Sequence, residues 1–327
     1  MKGKKYLVTG GTGFIGSSLV RRLVKEGYNV SIIDNDSRGA SERLKDVAHQ
    51  IEMFRADIRD ADAVQKACKG MDSVIHLAYV NGTEFFYKKP ELVLDVGVKG
   101  IINVIDGCIG QGVKELILAS SSEVYQTPPR IPTDEAVPLS IPDPLNPRYS
   151  YGGGKIISEL MAINYGRKYF DRVVIFRPHN VYGPDMGWEH VIPQFVMRMK
   201  QLCRDYNEKF IKFPIQGTGK ETRAFVFIDD FIDGLMLVLE KGEHLGIYHI
   251  GTMEEISVEK VAIETGKYFG KEVIIIPGEL AKGGTLRRCP DITKLKNLGY
   301  IPKIPLKEGL KITAKWYDEN IHKKPDI

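Results

Sequence analysis

Tyr6-Leu7-Val8-Thr9-Gly10-Gly11-Thr12-Gly13-Phe14-Ile15-Gly16 is the stretch that decides the fold. A short run suited to a buried strand passes straight into a glycine turn. An amphipathic pattern through Leu19, Val20, Leu23 and Val24 follows at once. Strand, glycine turn and helix in that order read as the first unit of a parallel sheet. The alternation continues downstream. Val30-Ser31-Ile32-Ile33, Ile51-Glu52-Met53-Phe54, Ser73-Val74-Ile75-His76, Glu115-Leu116-Ile117-Leu118 and Val173-Val174-Ile175-Phe176 are further short apolar runs. Helical patterns separate them, one from about Leu92 to Gly110. Near-continuous apolar strands suit a sheet covered on both faces. The predicted fold class is α/β, with a doubly wound parallel sheet.

The pattern changes after Pro178. Thr127 to Pro147 and Asn180 to Pro193 are rich in Pro and read as long irregular loops. Later elements are shorter and predict a smaller C-terminal lobe. The expected division is 1–178 for the sheet domain, with 222–252 returning to it. Residues 179–221 and 253–327 then form the lobe. A chain of 327 residues is long enough for both. Net charge is +4, spread along the chain. That predicts neither nucleic-acid nor membrane binding, and it tolerates an anionic substrate. No apolar run approaches the roughly 20 residues of a membrane span. Cys68, Cys108, Cys203 and Cys289 form no Cys-x-x-Cys pair, so no metal site is expected. Free thiols fit a reducing cytosol, and Met1 to Lys5 leads into a strand with no room for a signal peptide. A cytoplasmic location is the expectation.

Gly10, Gly13 and Gly16 have the G-x-x-G-x-x-G spacing at a strand-to-helix turn. Glycine there allows close approach of backbone to a pyrophosphate, which then sits on the positive helix N-terminus. Asp34 ends the second strand, where a carboxylate can accept bonds from both ribose hydroxyls and repel a 2′-phosphate. The pattern is Rossmann-like and predicts a dinucleotide, NAD rather than NADP, although Arg38 lies nearby. Gly10, Gly13, Phe14, Ile15, Gly16 and Asp34 are the residues expected at the cofactor.

The chain resembles the extended short-chain dehydrogenase/reductases of the nucleotide-sugar epimerase/dehydratase family, nearly end to end. Asp57-Ile58 resembles the pair that flanks adenine there. His76-Leu77-Ala78 resembles the segment under the pyrophosphate, which adds Leu77 and Ala78 to the expected cofactor residues. Two positions depart from the family pattern. Tyr79 replaces a small residue, and Gly97 stands where Asn is common.

Tyr151-Gly152-Gly153-Gly154-Lys155 has the Tyr-x-x-x-Lys spacing, an i,i+4 pair on one helical face. A cation beside a phenol stabilises phenolate. Tyr151 so tuned can accept a sugar hydroxyl proton as hydride leaves carbon, while Lys155 also bonds the nicotinamide ribose. Three glycines inside a helix are costly, at about 1 kcal/mol each relative to Ala. They predict close approach by substrate or backbone. The resemblance further implies that Ser121 bonds the C4 hydroxyl, that Arg223 and Arg288 hold a substrate diphosphate, and that Asn180 bonds that diphosphate or the cofactor region. Arginine suits that task because its fork bonds phosphate oxygens in pairs. Glu123 stands where dehydratases keep a base for the C5 proton, and Ser122 where many keep an acid. Asp229-Asp230 reads as a helix cap.

The resulting expectation is a nucleotide-sugar 4,6-dehydratase that oxidises C4 transiently. A 4-epimerase and a nucleotide-uronate decarboxylase share its first step and are the alternatives. A non-catalytic NAD sensor on the same fold would not need Tyr151, Lys155, Ser121 and Arg223 together. The resemblance also implies a homodimer, packed through the Leu92 to Gly110 helix and the Tyr151 helix.

Overall fold

The computed structural model describes residues 3–205, 208–279 and 284–324. Six strands are β1 (Lys5–Thr9), β2 (Asn29–Asp34), β3 (Ile51–Arg55), β4 (Ser73–His76), β5 (Glu115–Ala119) and β6 (Arg172–Pro178). A seventh, Gly246–Ile250, pairs with β6. The order across the sheet is β3, β2, β1, β4, β5, β6 and the seventh strand, all parallel. This is the doubly wound arrangement, and its order reverses between β1 and β4.

The apolar runs are continuous because alternate residues serve opposite faces. Tyr6, Val8, Ile32 and Ile75 enter one core with Leu19 and Leu23 of the Phe14–Lys25 helix. Phe231 and Leu235 of the Ile228–Lys241 helix join them. Leu7, Ile33, Val74 and Leu116 enter the other core, with Val64, Ile101, Val104 and Ala162 from three more helices. Fully burying each such side chain stabilises the fold by roughly 1.5–3 kcal/mol. Since all strands run the same way, Gly10, Asp34, Ala78, Ser121 and Asn180 all follow C-terminal strand ends. They therefore collect along one edge of the sheet.

The first face's core continues into the smaller lobe through Phe195, Phe213 and Val261. There the Val191–Asp205, Val258–Tyr268 and Leu306–Glu319 helices pack together. Thr222–Ala224 pairs with Glu255–Ser257 and Arg287–Arg288 in a small sheet, apart from the large one. Within 222–252, Gly246–Ile250 is the strand that joins the large sheet, whereas Val226–Phe227 pairs with Val181–Tyr182 in a separate two-stranded sheet.

Three local expectations are corrected. The Leu92 to Gly110 helix is two α-helical pieces, Pro90–Leu94 and Gly100–Gln111, joined by a π-helical turn at Asp95–Lys99. The loop expected to reach Pro193 ends at Val191, because proline fits the first helical turn, where its missing N–H has no partner to lose. Neither Asp229 nor Asp230 caps its helix, since the N-cap is Phe227. Asp230 instead accepts the backbone N–H groups of Lys303 and Ile304 at 3.0 and 2.8 Å. Among the described residues, no helix is long and apolar enough to cross a membrane.

Candidate active site

The cofactor cleft lies where the strand order reverses. Gly10 adopts φ +73°, and a Cβ there would sit 2.8 Å from the Ala78 Cα and nitrogen. A Cβ on Gly16 would overlap the Gly10 carbonyl oxygen. Both positions therefore need glycine. Gly13 is the N-cap of the Phe14–Lys25 helix and supplies no side-chain acceptor, so the helix terminus faces the cleft uncapped. The cleft holds about 360 Å³ and is lined by Gly10, Gly13, Asp34, Asp57, Ile58, Leu77, Ala78 and Tyr79. A backbone cradle that any Cβ would fill, beside an uncapped helix N-terminus, fits a pyrophosphate.

Asp34 accepts N–H bonds from Thr12 at 3.0 Å and Asp36 at 2.9 Å, which fix its carboxylate at the rim. Arg38 turns away from it. Its guanidinium donates to the Asn81 carbonyl at 3.0 Å, lies over the Phe85 ring and reaches Glu189 at 3.6 Å. Asp57 is held by Arg59 and Asn35, and the Arg59 hydrogen bonds pull its carboxyl below the usual range.

Tyr151 and Lys155 enter the site from the Ser150–Tyr169 helix, and both are buried. The Tyr151 hydroxyl neighbours Ser121, which favours its deprotonated form. Ser121 Oγ accepts the Glu123 N–H at 3.1 Å, as cap of the short turn Ser122–Tyr125 that leaves β5. Ser122 is buried in that turn. The Phe86 ring stacks on Tyr151 at 4.9 Å. The Lys155 ammonium lies 5.8 Å from the Tyr151 ring centroid and closer to two other groups. It donates to the Ala119 carbonyl at 2.7 Å and lies 4.0 Å from the Tyr79 ring centroid. Burial pushes the Lys155 ammonium down to about 7, with Glu159 opposing. Burial also raises Tyr151, and Ser121 only partly offsets it. Burial therefore dominates at Tyr151, and Lys155 is not among the groups that shift it.

The glycine run is explained by protein rather than by ligand. A Cβ on Gly152 would overlap Gln126 and crowd the Glu123 carbonyl at 2.9 Å. One on Gly154 would overlap the Tyr79 hydroxyl. Gly153 has ordinary space, and nothing in the structure explains it.

Beyond Ser121 lies a cluster of three guanidinium groups around one carboxylate. Arg288 Nη1 donates to Glu123 Oε1 at 2.6 Å, and its other nitrogen donates to Thr285 Oγ1 at 3.0 Å. Arg148 approaches the second Glu123 oxygen at 3.7 Å. Arg148 Nε is buried with no hydrogen-bond partner among the described residues. Arg223 donates to the carbonyls of Thr222 at 2.7 Å and Thr285 at 2.8 Å. Burial and the charge of Arg288 push it down to about 10. Burial alone raises Glu123, but Arg288, Arg148 and Arg223 together hold it below the ordinary carboxylate range. Asn180 adopts φ +42°, and its amide nitrogen donates to the Ala224 carbonyl at 3.2 Å. Asn180, Arg148 and Arg223 line a cavity of about 1030 Å³ beside this cluster, with Trp188, Gln194 and Phe225. The guanidinium groups of Arg148 and Arg223 suit that cavity to an anion. Sequence reading missed Arg148, Phe86 and Thr285. Only proximity to Tyr151 hinted at Arg148.

Residues 6–251 match the model of the NAD dependent epimerase/dehydratase family. A putative UDP-glucose 4-epimerase of Methanocaldococcus jannaschii is 33% identical, with 96% of this chain and 98% of that protein covered. The UDP-N-acetyl-alpha-D-glucosaminuronate decarboxylase of Bacillus cytotoxicus is 29% identical, over 97% and 98%. Among solved structures, a dTDP-glucose 4,6-dehydratase from Streptomyces venezuelae with NAD bound superposes with TM-score 0.86, at 30% identity and 98% of both chains. Three reactions are thus represented at similar distance. What the family match, the relatives and the cleft geometry share is one enzyme class: the chain belongs to the NAD dependent epimerase/dehydratase family.

Proposed function

We propose that this enzyme oxidises C4 of a nucleotide-diphosphate sugar and that the sugar is a uronate, which then loses its C5 carboxylate as carbon dioxide. The observation that carries this reading is the Glu123–Arg288 ion pair inside a cluster with two further guanidinium groups. Ser121 Oγ holds the C4 hydroxyl and Tyr151 takes its proton. Lys155, whose ammonium lies 5.8 Å from the Tyr151 ring centroid, supplies the positive charge that makes phenolate accessible. NAD would supply the hydride acceptor, and the Gly10–Gly16 turn and Asp34 are the residues that would hold its pyrophosphate and ribose. A C4 ketone makes the C6 carboxylate on C5 a β-keto acid, so the C5–C6 bond breaks to release carbon dioxide without a base; the enolate left behind takes a proton at C5, and the hydride held by the cofactor would return to C4. The Arg148, Arg223 and Arg288 groups match a substrate that carries a carboxylate as well as a diphosphate.

The 4,6-dehydratase reading needs a C5 base. Glu123 is placed for that role, but Arg288 weakens it as a base. It becomes available only if the substrate diphosphate takes Arg288 from it, and this possibility makes dehydration the second reading. Incubation with UDP-, GDP-, CDP- and dTDP-sugars, neutral and uronic, followed by mass spectrometry of the products, tests the choice. Loss of carbon dioxide from a uronate is expected. Loss of water from a neutral sugar would replace the reading with dehydration, and a neutral product of unchanged mass with epimerisation.

Asp34 favours NAD because its charge meets a 2′-phosphate and Arg38 is engaged elsewhere. Asp34→Ala should narrow the preference for NAD over NADP by about tenfold, equivalent to roughly 1.4 kcal/mol. Fluorescence titration with both reduced cofactors checks this.

The proposal extends to a homodimer. Leu94, Ile102, Ile157, Leu160, Tyr165 and Tyr169 are exposed on the adjacent Pro90–Gln111 and Ser150–Tyr169 segments. Leu160, at 55%, is the most exposed of the six. Leu160→Glu should shift the protein to monomer in sedimentation velocity. A monomeric wild type would remove the dimer.

A further inference from the structure

Tyr79 stands immediately after the Ala78 backbone that closes the glycine turn, at the end of β4. Its ring passes between two helical segments. Gly97 lies in the π-helical turn and Gly154 in the Ser150–Tyr169 helix. A Cβ on either would overlap the Tyr79 hydroxyl, so the two glycines form a slot for the phenol. The hydroxyl is buried there without a hydrogen-bond partner among the described residues. Glycine inside a helix and a phenol buried unpaired are each unfavourable. The hydroxyl therefore does not account for the arrangement, and the ring does. Its face lies under the Lys155 ammonium, 4.0 Å from nitrogen to centroid. Its edge meets Tyr151, with centroids 5.0 Å apart and an angle of 82°. The ammonium also donates to the Ala119 carbonyl and lies 5.8 Å from the Tyr151 ring centroid. A carbonyl accepts from ammonium and from neutral amine alike. A ring face attracts only the cation, and more strongly when water is excluded.

We propose that Tyr79 is a positioning residue for Lys155. Its ring face seats the ammonium beside Tyr151, and Gly97 and Gly154 are the slot that keeps the ring there. The inference rests on the hydride-transfer reading of Tyr151 and Lys155, and it adds an aromatic support to that pair.

Two cycles on the full chain test it. In the first, urea unfolding midpoints are measured for wild type, Tyr79→Leu, Lys155→Met and the double variant. The losses should not add, because each single change removes the same contact. Additive losses would overturn the contact. The second cycle follows formation of reduced cofactor by its absorbance in a single turnover, with NAD and a nucleotide sugar. Tyr79→Leu should slow it about tenfold, the effect of losing a desolvated cation–π contact. Tyr79→Phe should stay near wild type, since the ring remains. In the Lys155→Met background, Tyr79→Leu should have no further effect. Equal slowing in both backgrounds, or equal slowing by Phe and Leu, would overturn the positioning role. If Tyr79→Leu fails to fold, Tyr79→Met takes its place in both cycles. The slot has its own control. Gly97→Ala should lower the unfolding midpoint, and adding Tyr79→Ala should recover part of it. A wild type that reduces no cofactor with any nucleotide sugar sinks the hydride-transfer reading, while the unfolding cycle still decides whether ring and ammonium interact.

Discussion

Tyr151→Phe should stop C4 oxidation while leaving the fold and cofactor binding in place. The ring stays stacked on Phe86 and edge-on to Tyr79, so packing is kept. The hydroxyl oxygen beside Ser121 is the only part removed. Losing a positioned proton acceptor lowers the rate by about 10²–10⁴-fold. The readout is the cofactor absorbance that accompanies turnover, with NAD affinity measured alongside. Turnover like wild type would move the base elsewhere. Tyr149, two residues earlier, and Tyr125, whose hydroxyl is already bonded to His249 and Arg177, would be examined next.

Arg288→Ala should have the second large effect, on substrate binding and on stability together. Losing one charge-assisted partner of an anionic substrate costs roughly 1.5–3 kcal/mol, or about tenfold to more than a hundredfold in affinity. Calorimetry with the nucleotide diphosphate and with the whole sugar nucleotide separates the parts. A loss seen only with the uronate would place Arg288 on the sugar carboxylate, and a loss with both on the diphosphate. The same change strands Glu123. Burial raises its pKa, and the guanidinium groups are what lower it. In wild type the lowered carboxyl therefore contributes stability above its unfolded pKa, and this is lost as pH falls through its folded pKa. Without Arg288 that contribution shrinks, and Glu123 should titrate closer to neutrality. Arg288→Ala should lower the unfolding midpoint at pH 7, and adding Glu123→Gln should restore part of it. Unchanged stability in the single variant would mean that the ion pair contributes little. Glu123→Gln alone should leave carbon dioxide release largely intact, whereas a dehydratase would lose water elimination by about 10²–10⁴-fold.

The positions read from local pattern and those set by folding differ in kind. Gly10, Gly13 and Gly16 were legible because backbone conformation is a local property, and Asp34 because it ends a strand of recognisable period. Tyr151 and Lys155 share a helical face by spacing alone. The direction of the Lys155 amine was not legible, because it depends on the Ala119 carbonyl and on Tyr79, which arrive from other strands. Tyr79 and Gly97 each looked like an isolated departure from family pattern. Only packing shows that Tyr79, Gly97 and Gly154 are one steric unit.

The family followed from the resemblance of whole motifs to known relatives. By itself, the sequence determined the doubly wound sheet, the glycine cradle and the acidic strand end. Each is written in short-range periodicity or in backbone demands that few residues meet. Tertiary structure decided the electrostatic state of the site. Glu123 and Arg288 are 165 residues apart in the chain and 2.6 Å apart in space. Whether a carboxylate is a free base or half of an ion pair depends on which charges the fold brings beside it. Coulomb energy follows distance in space, and the order of residues along the chain does not contain that distance.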